Sequence, residues 1–429
     1  MKSLKKLANS CKKSDLVQTW LHIRRNTAGT KEKRGLKQYY LIHQAIQAIS
    51  EANHPRIEDL SMKLIEGGDS IGYFYYAQSL ALQNKIVDAA KQLNIFLKNN
   101  PYHADATYLL ADIEVRQNNK QHALNLLEHL LQHNTRRKTW QHLSNLVENS
   151  EDFLQYLQLF NTYYPNYQSK PPRYDLICHL SNAALRGEQQ GFALNLWREQ
   201  YQLAQSQKLK HNLATPPKYT DEKAAKALSD LKKYLDKAQI PFFLISGTLL
   251  GCIRENKLLG HDKDIDIGVW EDQTLENLQD IFRKSGCFYT LPIYSPDILV
   301  VRHVNGITID IFIHYREQND YWHAGKKTKW HNTPFELIQY IFLGETYLIP
   351  RNYDLYLREN YGDDWQTPKI NFDSMLDTPN IEIISNIHLS IYLYKRLMSP
   401  KSINNEIKHK IIRKLKTNKD FFLKVRSQC

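Results

Sequence analysis

Residues 246 to 270 read SGTLLGCIRENKLLGHDKDIDIGVW. Asp262, Asp264 and Asp266 fall at every second position, and Ile265, Ile267 and Val269 alternate with the last two. In an extended strand, residues two apart share a side, so Asp264 and Asp266 project together while the isoleucines face a core. Asp262 stands at the strand entrance. Carboxylates held side by side repel, and the repulsion must be met by a shared proton, by neighbouring cations or by a divalent metal.

A further acid extends the pattern. ILVVRHV, Asn305-Gly306 and ITIDIFIHY form a hairpin signal, because Asn-Gly suits a type I′ turn between two β-rich runs. Asp310 alternates with Ile309 and Ile311 in the second run. If that strand lies beside the first, Asp264, Asp266 and Asp310 converge as catalytic and metal-holding groups for Mg²⁺ or Mn²⁺, which neutralises phosphate oxygens and helps deprotonate an attacking hydroxyl. Ser246-Gly247-Thr248 reads as a turn that offers backbone N–H groups and a hydroxyl to a phosphate. A glycine-rich turn, a paired-acid strand and a later single acid make the layout of a nucleotidyltransferase-fold centre.

Outward from this centre the texture changes. Thr220 or Asp221 caps a helix through AAKALSDLKKYLDKAQ, with Ala225, Leu228, Leu231 and Leu235 at helical spacing, and FFLIS follows as a short strand. EDQTLENLQDIFRKSG reads as a helix, HAGKKTKWHN as a loop carrying Lys326, Lys327 and Lys329, and TPFELIQYIFL as another helix. Upstream, Pro216 and Pro217 mark a linker. Beyond it, a 34-residue shift lays Ala77 on Ala111, Ala89 on Ala123, Leu93 on Leu127 and Leu97 on Leu131, the period of a tetratricopeptide repeat. QHALNLLEHL at 121 to 130 returns as GFALNLWREQ at 191 to 200. The expected architecture is multidomain: a basic helical segment at 1–50, an all-α tetratricopeptide-like solenoid at 51–210, a linker at 211–222, an α+β nucleotidyltransferase-fold domain at 223–394 and a basic helical tail at 395–429.

Charge is distributed unevenly along the 429 residues. Residues 1–37 and 395–429 each hold eleven Lys/Arg against two acids, so the ends together exceed the net charge of +12 and the middle is acidic. The positive charge avoids the presumed site and no aromatic-basic interleaving marks a base-stacking platform, which argues against nucleic acid. Basic ends suit solvent, a protein or polymer partner, or an anionic membrane. Five scattered cysteines without Cys-x-x-Cys spacing suit reduced thiols. His323 and His331 lack paired cysteines and read as surface histidines. No apolar run approaches 18 residues, and the expected location is cytoplasmic, free or peripheral at the inner face of the membrane.

GTLLGCIRENKLLGHDKDIDIG resembles the signature of the LicD/fukutin family, supported by IDIF at 309 to 312 and YLIPRNYDLYLRENYGDDWQTP at 347 to 368. The resemblance covers roughly residues 225 to 370. Gly260-His261 replaces the family's usual Pro-Trp, and Lys263 stands where an acid is frequent. The resemblance implies transfer of a phospho-alcohol group, phosphocholine or an alditol or glycerol phosphate, from a CDP-linked donor to a glycan hydroxyl in surface polysaccharide or capsule biosynthesis. It implies metal at Asp264, Asp266 and Asp310, and donor or substrate contacts at Ser246, Gly247, Thr248, Arg254, His261 and Asp262. Tyr361-Gly362 and Trp365 close the domain. The repeats would recruit a protein partner or the acceptor polymer. Two other readings stay open: a nucleotidyltransferase moving an NMP group, and a repeat-based adaptor with an inactive transferase domain.

Overall fold

The computed structural model describes residues 15–170, 172–207, 220–259, 264–369, 372–399 and 405–426. Most of the expected linker lies outside them, as do His261 and Asp262. The chain divides into two compact units: one runs up to Leu143 and adds Arg283–Tyr289 and Val304–Gly306, and the other holds Ser144–Phe282, Thr290–His303 and the chain from Ile307 onward. The division at 143 falls inside the segment expected as one repeat array.

The first unit is helical: α1 (Asp15–Asn26), α2 (Leu36–Ser50), α3 (His54–Glu66), α4 (Ile71–Leu82), α5 (Ile86–Asn99), α6 (Ala104–Arg116) and α7 (Lys120–His133), followed by α8 (Lys138–Asn145) at the division. From α2 to α7 each helix packs on the next. Ala77 and Ala111, Ala89 and Ala123, and Leu93 and Leu127 are all buried, because small residues let paired helices approach while leucines fill the groove between them. The tight turns repeat as well: Asn84 and Asn118, 34 apart, adopt left-handed backbone at φ 61° and 63°, a conformation Asn tolerates better than most residues. Arg34 is buried against Asp69, its Nε and Nη2 donating to the two carboxylate oxygens at 2.6 and 2.7 Å.

The second unit opens with α9 (Ser150–Tyr163), α10 (Tyr174–Arg186) and α11 (Gln190–Gln207). Ala193 and Trp197 are buried at the positions of Ala123 and Leu127 in the echoed segment. α12 (Asp221–Lys237) is capped by Thr220, whose side chain accepts from the Lys223 N–H, and its inward residues are Ala224, Ala227, Leu228, Leu231 and Leu235; Ala225 is only half-buried.

A mixed sheet follows: β1 (Phe242–Leu244), β2 (Asp264–Trp270), β3 (Phe288–Thr290), β4 (Ile298–His303), β5 (Thr308–Arg316), β6 (Tyr321–Ala324), β7 (Thr328–Asn332), β8 (Leu337–Phe342), β9 (Glu345–Pro350) and β10 (Ile381–Ile383). Its main path is β10-β7-β6-β5-β2-β1-β9-β8, and β4 lies antiparallel to the first part of β5. The helices of this region are α13 (Ser246–Glu255), α14 (Leu275–Arg283), α15 (Tyr353–Tyr361), α16 (Asn386–Met398) and α17 (Asn405–Arg426). Ile265, Ile267 and Val269 of β2 and Ile309, Ile311 and Ile313 of β5 are buried on one face. The acids therefore share the other.

Two local expectations are overturned. TPFELIQYIFL is not helical: Leu337–Phe342 pairs with β9 along its whole length, and Leu343 and Gly344, at φ 49° and 86°, make the two-residue turn between them. The ladder, together with Ile338, Tyr340, Ile341 and Phe342 as good strand formers, outweighs a helix-compatible spacing. HAGKKTKWHN is a hairpin, with Lys326 and Lys327 in its turn and Lys329 on β7 lying 3.9 Å from the Trp322 ring centroid. The basic C-terminal helix α17 packs through Ile407 and Ile411 against Leu389 and Leu393 of α16.

Candidate active site

β2 runs parallel to β5 in a register that places Asp266 opposite Asp310 and Asp264 opposite Thr308. Parallel neighbours lie about 4.8 Å apart and opposed residues share a face, so carboxylates from two strands gather at one end of the sheet. All three are half-buried. Burial, and then the charge of Asp264, push the Asp310 carboxyl up to about 7. An acid so destabilised as an anion calls for a positive partner.

The segment read as a Ser-Gly-Thr turn is the first turn of α13, which starts directly after β1. Its leading N–H groups have no intrahelical partners, the usual basis for anion binding at a helix N-terminus. Ser246 and Gly247 are half-buried, but Thr248 is wholly buried and its Oγ1 accepts the Asp266 N–H at 2.8 Å. The Thr248 hydroxyl thus holds the acid strand in place and is not displayed toward a ligand. Gly251 explains the second glycine of the motif: a Cβ there would lie 2.6 Å from the Lys257 carbonyl.

Arg254 turns toward its own chain. Its Nη2 donates to Glu255 at 2.9 Å and its Nη1 to the Trp365 carbonyl at 3.4 Å, while Nε is buried without a partner. Trp365 in turn donates from Nε1 to Asp354 of α15 at 3.2 Å. These contacts tie the end of α13 to the closing segment.

The acid-bearing face continues as an aromatic floor that sequence reasoning missed. Gly268 leaves room for Phe243 and His314, since a Cβ would meet them at 2.6 and 2.8 Å. His314 stacks on His323 at 4.3 Å between centroids. His323, expected on the surface, is buried, and desolvation holds it well below the usual imidazole range. The same burial brings His314 down to about 3. His331 is half-buried, bridging Asp320 at 2.8 Å and Glu382 at 3.0 Å. Tyr356 of α15 is also buried, its hydroxyl has no hydrogen-bond partner, and burial followed by the Asp266 charge raises it far above the ordinary phenol range. The only sequence signal for His314 was its place two residues along the acid face from Phe312; nothing local marks Tyr356.

Paired acids on parallel neighbours thus stand beside a helix N-terminus in a mixed sheet. Residues 239–352 match the LicD/FKTN/FKRP nucleotidyltransferase domain. Two curated relatives are the ribitol-5-phosphate transferases FKTN of Macaca fascicularis, 29% identical over 174 residues, and of Homo sapiens, 28% identical over 174 residues. Each match covers 37% of this chain and 37% of the relative, so the chain spans little more than a third of their length. Among solved structures, the antibiotic-resistance factor ANT(2″)-Ia aligns at 10% identity over 49% of this chain and 98% of its own, with a TM-score of 0.27. Among the described residues, no helix is long and apolar enough to cross a membrane.

Proposed function

We propose that the sheet domain is a metal-dependent phosphotransferase, moving a phospho-alcohol group from a CDP-linked donor to a glycan hydroxyl. The observation that carries this reading is the register of Asp266 against Asp310, where burial, and then the charge of Asp264, push the Asp310 carboxyl up to about 7. Three crowded carboxylates form an all-oxygen donor set suited to a hard divalent cation, and their repulsion is what such an ion relieves. Asp264, Asp266 and Asp310 would hold Mg²⁺ or Mn²⁺. When bound, the ion supplies charge neutralisation at the donor diphosphate.

The chain's own groups do the rest. The N–H groups of Ser246, Gly247 and Thr248 receive donor phosphate oxygens at the start of α13. The Thr248 hydroxyl keeps β2 in register with that helix end. Arg254 acts through Glu255 and Trp365 as a brace. The acceptor hydroxyl oxygen forms a bond to the donor's alcohol-bearing phosphorus; the bond from that phosphorus to CMP breaks, and CMP leaves with the electron pair. The hydroxyl proton passes to a carboxylate oxygen of one of these three aspartates. The paired helices of residues 71–133 are assigned as tetratricopeptide-type repeats that dock a partner, supported by the matching turns at Asn84 and Asn118.

The test is to incubate the full chain with Mg²⁺, an oligosaccharide acceptor panel and CDP-ribitol, CDP-glycerol or CDP-choline, and to identify the released nucleotide. CMP release with a phosphorylated glycan product is expected. Pyrophosphate release from a nucleoside triphosphate would replace this reading with nucleotidyl transfer, and no turnover with any donor would leave the adaptor reading.

A further inference from the structure

Away from the acid cluster, the second unit holds a cavity of about 620 Å³. That size lies within the range of small-molecule sites, about 300–1,000 Å³. One wall comes from the helical segment, where Arg186 ends α10 and Glu188 and Gln190 lead into α11; the other comes from the β6–β7 turn at Lys326 and from His388 on α16. Its position relative to the sheet follows from β5: Phe312 pairs with Ile298, next to Asp297 in the cavity lining, whereas Asp310 pairs with Val300.

Among the described residues, the cations of this cavity form no ion pair with its acids, Glu148, Glu188 and Asp297. Arg186 is fixed by carbonyls, donating from Nε to Val147 at 2.8 Å and from Nη1 to Ile293 at 3.3 Å, and its guanidinium lies over the Tyr294 ring. Among the described residues no carboxylate forms an ion pair with Lys326. Burial, then the Arg186 charge, lower the Lys326 ammonium from its ordinary value; burial, then Lys326 and Lys327, lower His388. His388 bonds through Nδ1 to Ser385 at 2.8 Å, which leaves Nε2 for another partner. Two cations and the His388 imidazole line a space that no protein side chain fills. An anion satisfies them, and phosphate suits a guanidinium beside an ammonium.

The remaining lining is of another character. Leu185, Pro296 and Ile384 are apolar, and Glu148, Glu188 and Gln190 bring hydrogen-bond acceptors. Apolar surface with a few hydroxyl acceptors is what a sugar presents itself to, and the cavity is too large for phosphate alone. We propose that this cavity is a binding site for a phosphorylated sugar, with Arg186, Lys326 and His388 taking the phosphate and the Glu148–Glu188–Gln190 side taking hydroxyls. None of its residues belongs to the aspartate cluster, so the assignment stands apart from the transferase reading.

The test is isothermal titration of the full chain with glucose 1-phosphate and with inorganic phosphate, at constant ionic strength and with EDTA present. Chelation removes divalent cations, so a metal-bridged phosphate at Asp264, Asp266 and Asp310 does not contribute. Saturable one-to-one binding of glucose 1-phosphate is expected, weakened about tenfold or more by Lys326→Gln and unchanged by Lys233→Gln on α12. Arg186→Gln should weaken it at least as much, and circular dichroism establishes that each variant is folded; because Arg186 also holds two carbonyls, Lys326→Gln is the deciding variant. No saturable binding of either probe, or equal affinity in wild type and Lys326→Gln, overturns the site. Equal affinity for the two probes overturns the sugar part of the assignment.

Discussion

The helical unit and the sheet domain each place acidic groups away from water, with opposite solutions. In the helical unit Asp69 meets Arg34 in a two-pronged contact, and the charges cancel within the chain. In the sheet Asp266 stands in register with Asp310, another acid, and burial, then the Asp264 charge, raise the Asp310 carboxyl. A charge cancelled locally serves the fold.

This contrast can be broken or sharpened experimentally. The largest effect is expected from Asp266→Asn, which should cut CMP release by about 10²–10³-fold or more while the thermal unfolding curve stays close to wild type. Undiminished turnover would remove that carboxylate from the chemistry. Arg34→Met should do the reverse, leaving Asp69 buried without its cation at a cost of about 3–5 kcal/mol; urea unfolding measures it, and a loss below about 1 kcal/mol would show that the contact is dispensable.

Thr248→Val comes next. It leaves the Asp266 N–H without its acceptor, so stability should fall by about 1–3 kcal/mol and turnover with it, because the acid strand loses its tie to α13. Unchanged stability would mean that this N–H finds another acceptor. The smallest effect is read against pH in metal-free protein. The folded Asp310 carboxyl, at about 7, binds its proton more tightly than the ordinary value of 3.8, so its ionisation makes stability fall as pH rises between those values and the loss is complete above them. Asp310→Asn removes that slope and should melt higher than wild type at pH 8, by roughly a few degrees, with no advantage at pH 4. Added Mg²⁺ should narrow the gap. A pH-independent difference would show that Asp310 does not titrate in this window.

The two regions also differ in how far their sequences can be read. Ala77, Ala89, Ala111 and Ala123 announce helix pairs because contacts within a helical hairpin are short in sequence and recur at fixed spacing. The alternation of Asp264 and Asp310 with isoleucines shows that both strands are two-faced. It does not show that the strands run parallel with Asp266 opposite Asp310, since register is decided by partners far away in the chain. Leu337–Phe342 was misread for the same reason: a short apolar run fits a helix or a strand, and only its ladder with β9 chooses. Arg34 and Asp69, 35 residues apart, carry no local sign of each other. Neither do Arg186 and Lys326.

By itself, the sequence determined which residues alternate, which recur every 34 positions and where acids interrupt apolar strands, because these are consequences of side-chain spacing along a single element. Only the tertiary structure decided that Asp266 faces Asp310, that the Thr248 hydroxyl is occupied by a strand N–H, and that His323 is buried. Those outcomes depend on which distant backbone supplies the neighbouring hydrogen bonds, and burial changes a charge only once that neighbour is in place.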